Sequence, residues 1–172
     1  MMNVSGRGCG MKKALFALFV LSMLGGFGVS AFANAGYFNE LLTREANNSD
    51  GVNVIMYLMK LEDRIGDHKD NVALLKEKGI IRDREIVKAN VPLRRGLLAY
   101  WLVRALDIQG GVIMRWTGRG YRYAYRECVF LELMAEGSEK QNMTGPELVS
   151  VLARARNYQN HGHAAYQGGD EK

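Results

Sequence analysis

Residues Arg115 to Arg126 read RWTGRGYRYAYR, the densest concentration of chemically useful side chains in the chain. Arg115, Arg119, Arg122 and Arg126 alternate there with Trp116, Tyr121, Tyr123 and Tyr125. Guanidinium forks match the oxygens of carboxylates and phosphates, and flat rings match sugar or base faces. At helical spacing Arg122 and Arg126 fall on one face while Tyr121 and Tyr125 fall on another. An anionic glycan or a lipid headgroup is the ligand class this pattern suits. The alternative is packing: the tyrosines point inward with their hydroxyls at the rim, and the arginines are solvated or pair with Glu127 and Asp107. Arg95, Arg115, Trp116, Arg119, Tyr121, Arg122 and Arg126 form the candidate ligand-binding set.

Other constellations are thinner. His161 and His163 form an H-x-H in a polar tail and His68 stands alone, whereas a metal site needs several convergent ligands with outer support. Glu62, Asp63 and Asp67 have the density of an exposed acidic face. The chain contains no G-x-S-x-G, no H-E-x-x-H and no phosphate loop. No catalytic residue, metal ligand or cofactor is therefore assigned. A carboxylate pair remains open, because the distance between two acids belongs to the fold.

The 172 residues begin with a segment of a different character. Lys12 and Lys13 precede the apolar run of residues 14–32, and Ala33-Asn34-Ala35 supplies the small residues that a signal peptidase reads. Met11 is a natural start for this leader. An uncleaved anchor is the alternative, since the run is near the lower length limit for spanning a bilayer. Cleavage after Ala35 removes Arg7, Lys12 and Lys13, which lowers the formal net charge from +5 to +2. So small a charge on an exported chain argues against nucleic acid as the partner. Cleavage also leaves Cys128 as the sole cysteine, so stability must come from packed helices. A buried thiol is expected there, with a disulfide-linked dimer as the alternative.

The remainder divides into an entry segment over 36–50, a helical domain over 51–158 and a polar tail over 159–172. Asn47 to Gly51 is a breaker cluster able to cap a helix. Val54, Leu58, Leu61 and Ile65 then form a helical stripe, with Gly66 and Asp67 as its stop. Asp70–Lys78 reads as a helix closed by Gly79, after which Ile80 and Ile81 carry the chain back across the core. Pro92 precedes a helix that is apolar all round over Leu97–Val103, which predicts a central position. Tyr121–Met134 is the next helix. Thr144 and Glu147 form a capping-box pattern at the start of the last one. The fold class is all-α, with about five to six helices.

Part of this pattern occurs twice. Leu98, Trp101, Leu102 and Ala105 correspond to Leu148, Val151, Leu152 and Ala155 at an offset of fifty residues, and Arg104 corresponds to Arg154. Val72, Leu75, Ile80 and Ile81 match Tyr125, Cys128, Leu133 and Met134 at an offset of 53. The expected unit is a helix, an apolar crossing, a polar connector and a second helix, stacked on its copy. Ser49–Leu61 is a candidate second helix of an earlier, more degenerate copy.

The unit resembles the S-layer homology domain. The likeness rests on Glu77–Ile81 (EKGII), Arg95 and Leu102–Leu106 (LVRAL), then on Leu131–Met134, Thr144, Glu147 and Leu152–Ala155 (LARA), and it covers about Asp70–Tyr158. Leu97 stands where that family places a glutamate, Gly145 stands where it places an arginine, and neither connector carries its glycine- and aspartate-rich turn. The resemblance implies a helical repeat fold and binding of cell-wall polysaccharide through the arginine at the loop-to-helix junction. The functional expectation is an exported, periplasmic or envelope-associated, noncatalytic module that binds an envelope polysaccharide or a protein partner. A structural subunit without a glycan site and an unrecognised hydrolase are the alternatives.

Overall fold

The computed structural model describes residues 36–110 and 120–161. The chain divides into two units, 1–39 and 40–172. Among its described residues the second unit carries the α-helices α1 (Asn48–Leu58), α2 (His68–Glu77), α3 (Arg95–Ala105), α4 (Tyr121–Phe130) and α5 (Gly145–His161). A single 3-10 turn, Glu62–Arg64, lies between α1 and α2. Among the described residues the all-α expectation holds, and the only strand-like pairings are three isolated bridges.

Helix boundaries follow from caps. Asn47 Oδ1 accepts the Asp50 amide at 3.0 Å and Asp50 Oδ2 accepts the Asn47 amide at 2.8 Å, so α1 starts at Asn48. Reciprocal capping satisfies two amides that would otherwise lack partners. At the other end, Lys60, Gly79, Asp107 and Glu132 all take positive φ, and the chain turns back at each. That reversal stops α4 at Phe130, short of the expected Met134: the amides of Leu133 and Met134 both donate to the Cys128 carbonyl. Ile80 and Ile81 donate to Leu75 in the same way, also 53 residues earlier.

α3 is buried over Leu98–Val103, with Trp101 fully enclosed, as its sequence predicts. The centre is shared, however. α3 packs against α4 and α1, while α1 also meets α2 and α5. Gly51 on α1 permits the close approach, since a Cβ there would lie 3.2 Å from the Trp101 ring and 2.9 Å from Leu93.

Three helix entries are tied into a closed ring. The Leu93 amide donates to Ala46, the Ala46 amide to Met143 and the Met143 amide to Leu93, at 2.9, 3.0 and 2.8 Å. The first helical amides run round the same three segments in the opposite sense: Asn48 donates to Val91, Arg95 to Gln141 and Gly145 to Arg44. First-turn amides have no partner within their own helix, and here each takes a carbonyl from a neighbouring entry segment. Ala46, Leu93 and Met143 are buried at the middle of this ring.

Two expected boundaries shift. The entry segment expected over 36–50 belongs to the packed unit from residue 40 onward, where Leu41, Ala46, Asn48 and Asp50 are all buried. Residues 159–161, expected in the polar tail, are the last of α5. The leader and residues 162–172 lie outside the described residues. No helix among the described residues is long and apolar enough to cross a membrane.

Candidate functional site

Four pieces of chain meet around an open cleft of about 580 Å³. Glu85 and Ile86 come from the connector after α2, Arg94, Gly96 and Leu97 from the start of α3, Gly120–Tyr123 from the start of α4, and Glu139 and Lys140 from the loop before α5. Gly96 sets the width, because a Cβ there would press on Glu139 at 3.0 Å and on Tyr121 at 3.4 Å. Arg94, Arg122 and Lys140 bring cations to the cleft, and Tyr121 and Tyr123 bring rings.

Behind Tyr121 stands a stacked cluster. Arg82 Nε donates to the Tyr100 hydroxyl at 2.7 Å, and its guanidinium lies 4.4 Å from the Tyr100 ring centre and 5.3 Å from that of Tyr121. The two rings meet edge to face at 5.2 Å. Edge-to-face rings beneath a guanidinium hold one another in fixed orientations. Burial pushes the Tyr121 hydroxyl above the ordinary phenol range; the Glu85 charge adds to this and Arg82 opposes it. Burial works against the Arg82 charge, but the Tyr100 hydrogen bond and the neighbouring Tyr100, Tyr121 and Glu85 outweigh it and raise its pKa.

Two carboxylates, Glu85 and Glu139, line the cleft. Both Glu85 oxygens are closed off from solvent, beside the Tyr121 hydroxyl. A carboxylate pair working by acid–base or nucleophilic attack has to present its oxygens to the substrate. In this arrangement Glu85 does not.

Of the expected contact set, Tyr121 and Arg122 line the cleft, and Arg126 is exposed elsewhere on α4. Arg115, Trp116 and Arg119 lie outside the described residues. Arg95 is occupied internally: its Nε sits 2.8 Å from Glu147 Oε1, with both side chains largely buried, and Nη1 donates to the Glu136 carbonyl at 3.3 Å. This overrides half of the capping box expected on α5. Thr144 Oγ1 does accept the Glu147 amide at 3.4 Å, but the Glu147 carboxylate turns to Arg95 instead of the Thr144 amide. Arg94, one residue earlier, faces the cleft in its place. Arg94 is the extended N-cap residue and Arg95 the first helical one, so the two side chains leave the backbone in different directions where the helix begins.

Tyr125 follows the packing alternative: it is buried and its hydroxyl donates to the Ala135 carbonyl at 2.8 Å. Glu85, Ile86, Glu139 and Lys140 carried no motif that marked them. Their meeting depends on where the connectors run. His68 contacts the Val87 carbonyl at 2.9 Å and His161 that of Asn157 at 3.1 Å, while His163 lies outside the described residues. No group of three or more potential metal ligands occurs among the described residues.

Cys128 is fully buried, and desolvation, with a smaller contribution from Glu127, pushes its thiol far above the ordinary range. The thiolate is the reactive form, so the native protein should react with thiol reagents at pH 8 only as fast as it opens. Adding denaturant should raise the labelling rate by orders of magnitude in a time-resolved assay. Rapid native labelling at the rate of a free thiol would contradict the burial.

No protein-family model, curated protein or solved structure matches the chain.

Proposed function

We propose that the protein is an exported, noncatalytic envelope-docking module of the S-layer homology type, which grips an anionic envelope polysaccharide in the cleft between α3 and α4. The observation that carries this reading is the cleft itself, where Arg94, Arg122 and Lys140 stand beside the rings of Tyr121 and Tyr123. Cations suit the acidic substituents of such a polymer, and exposed rings suit the faces of its sugars. Export rests on the leader composition, Lys12 and Lys13 ahead of an apolar run and Ala33-Asn34-Ala35. Construction from repeated helix–loop–helix units is supported by the ring of helix entries and by the matching turns after Leu75 and Cys128.

Co-sedimentation of the full chain with isolated cell-wall and outer-envelope fractions tests the proposal. Arg94→Ala combined with Arg122→Ala should weaken binding about tenfold or more, the scale of losing charge-assisted hydrogen bonds. Arg126→Ala, outside the cleft, should leave it unchanged. Equal sedimentation of all three proteins would remove the proposal.

A second reading draws on Ile86, which is 86% exposed at the cleft. A protein partner covering Ile86 would bury that side chain, and capture of one stable complex that Ile86→Asp abolishes would favour partner binding over polysaccharide.

A further inference from the structure

On the far side of the Arg82–Tyr100 stack lies a separate depression of about 420 Å³, formed where the chain leaves α2 and reaches the last turn of α3. Lys76, Arg82, Arg84 and Arg104 line it, and Asp83 is its single acid. We infer that this depression is an oxyanion site that takes a phosphate group.

Three of the four cations are held in place by neutral groups. Lys76 Nζ donates to the Asp83 carbonyl at 2.7 Å. Arg82 gives its Nε to the Tyr100 hydroxyl at 2.7 Å, a bond that leaves its two terminal nitrogens uncommitted. Arg104 lies 5.1 Å from the centre of the same Tyr100 ring that Arg82 approaches at 4.4 Å. A single ring thus gathers two guanidinium groups. Among the described residues the close ion pairs are those of Arg44 with Glu40 and Asp50 and of Arg95 with Glu147, so none of the four makes a direct ion pair, and Glu85 acts on Arg82 only from a distance.

Cations near helix ends often serve to cap orphan carbonyls. Here that work is done by the backbone. The Leu75 carbonyl takes the Ile80 and Ile81 amides, Lys76 takes Gly79, Val103 takes Ile108 and Arg104 takes Asp107. Four cations gathered beside a single lining acid, Asp83, repel one another, and the repulsion is relieved when an anion enters. A tetrahedral dianion satisfies several cations converging from different directions, which a planar monoanion does only in part. Guanidinium groups bind phosphate oxygens in pairs, while lysine contributes a point charge.

This site is independent of the polysaccharide cleft, and its test separates the two. The full chain, kept in a nonionic detergent, is titrated with inorganic pyrophosphate at low ionic strength by calorimetry. One saturable site is expected, weakening as salt is added. Arg84→Gln and Arg104→Gln should each bind about tenfold more weakly, with native circular dichroism, while Arg122→Ala should bind as the parent does. Glycerol 3-phosphate and a glycerol-phosphate oligomer, run in parallel, distinguish a free phosphate from one carried on a polymer. No saturable heat from the folded parent, parental affinity in both glutamine variants, or loss of binding in Arg122→Ala would each overturn the inference.

Discussion

Asp50→Ala is expected to cost the folded state about 3–5 kcal/mol, the range for removing one partner of a buried ion pair. Asp50 is 2% exposed and makes three contacts at once. Its carboxylate receives Arg44 through two nitrogens at 2.6 and 2.9 Å and also accepts the Asn47 amide at 2.8 Å. Alanine would leave the Arg44 guanidinium half-buried beside an empty space and undo the cap of α1. The damage should reach further, because Arg44 is also the residue whose carbonyl receives the Gly145 amide at the start of α5. Urea unfolding followed by tryptophan fluorescence would measure the loss, together with a fall in melting temperature on the order of 10–20 °C. Asp50→Asn keeps an acceptor for the Asn47 amide but gives Arg44 no charge, so it should fall between the parent and the alanine variant. A loss below about 1 kcal/mol for Asp50→Ala would mean that the pair is only a surface contact.

Trp101→Ala should be comparably damaging, about 3–5 kcal/mol, the usual cost of deleting a buried large aromatic side chain. Trp101 is fully enclosed between α3 and α1, close to Gly51. Its indole nitrogen has no hydrogen-bond acceptor among the described residues, so its contribution is the volume and apolar surface of the ring. Trp101→Phe should therefore recover much of the loss, since no polar partner is forfeited. Circular dichroism through a thermal ramp separates the two variants. If alanine and phenylalanine prove equally harmful, the account in terms of filled volume fails.

Two glycines mark how far local patterning reaches. Gly145 stands where the S-layer homology likeness places an arginine, and from sequence that reads as a missing ligand contact. In the fold a Cβ at Gly145 would overlap the Leu41 carbonyl, so the backbone of another segment excludes any side chain there. Gly96 has the same kind of cause, set by Glu139 and Tyr121. Neither constraint has a sequence signal, because the excluding atoms belong to segments far away along the chain.

The sequence by itself determined the all-α class, the apolar run of α3, the stop at Gly79 and the crossing at Ile80 and Ile81, since periodicity, caps and breakers act within a turn or two of chain; the stripe expected to run on to Leu61 and Ile65 instead ends with α1 at Leu58, where Lys60 reverses the chain. It also marked Tyr121 and Arg122 as candidates for contact. Only the tertiary structure decided that Arg94 rather than Arg95 faces the cleft, that Glu147 leaves its own helix start for Arg95, and that Ala46, Leu93 and Met143 close a ring. Those outcomes depend on which distant backbone carbonyls and charges arrive beside each helix start. Their arrival is fixed by packing the whole core, and no local run of residues encodes it.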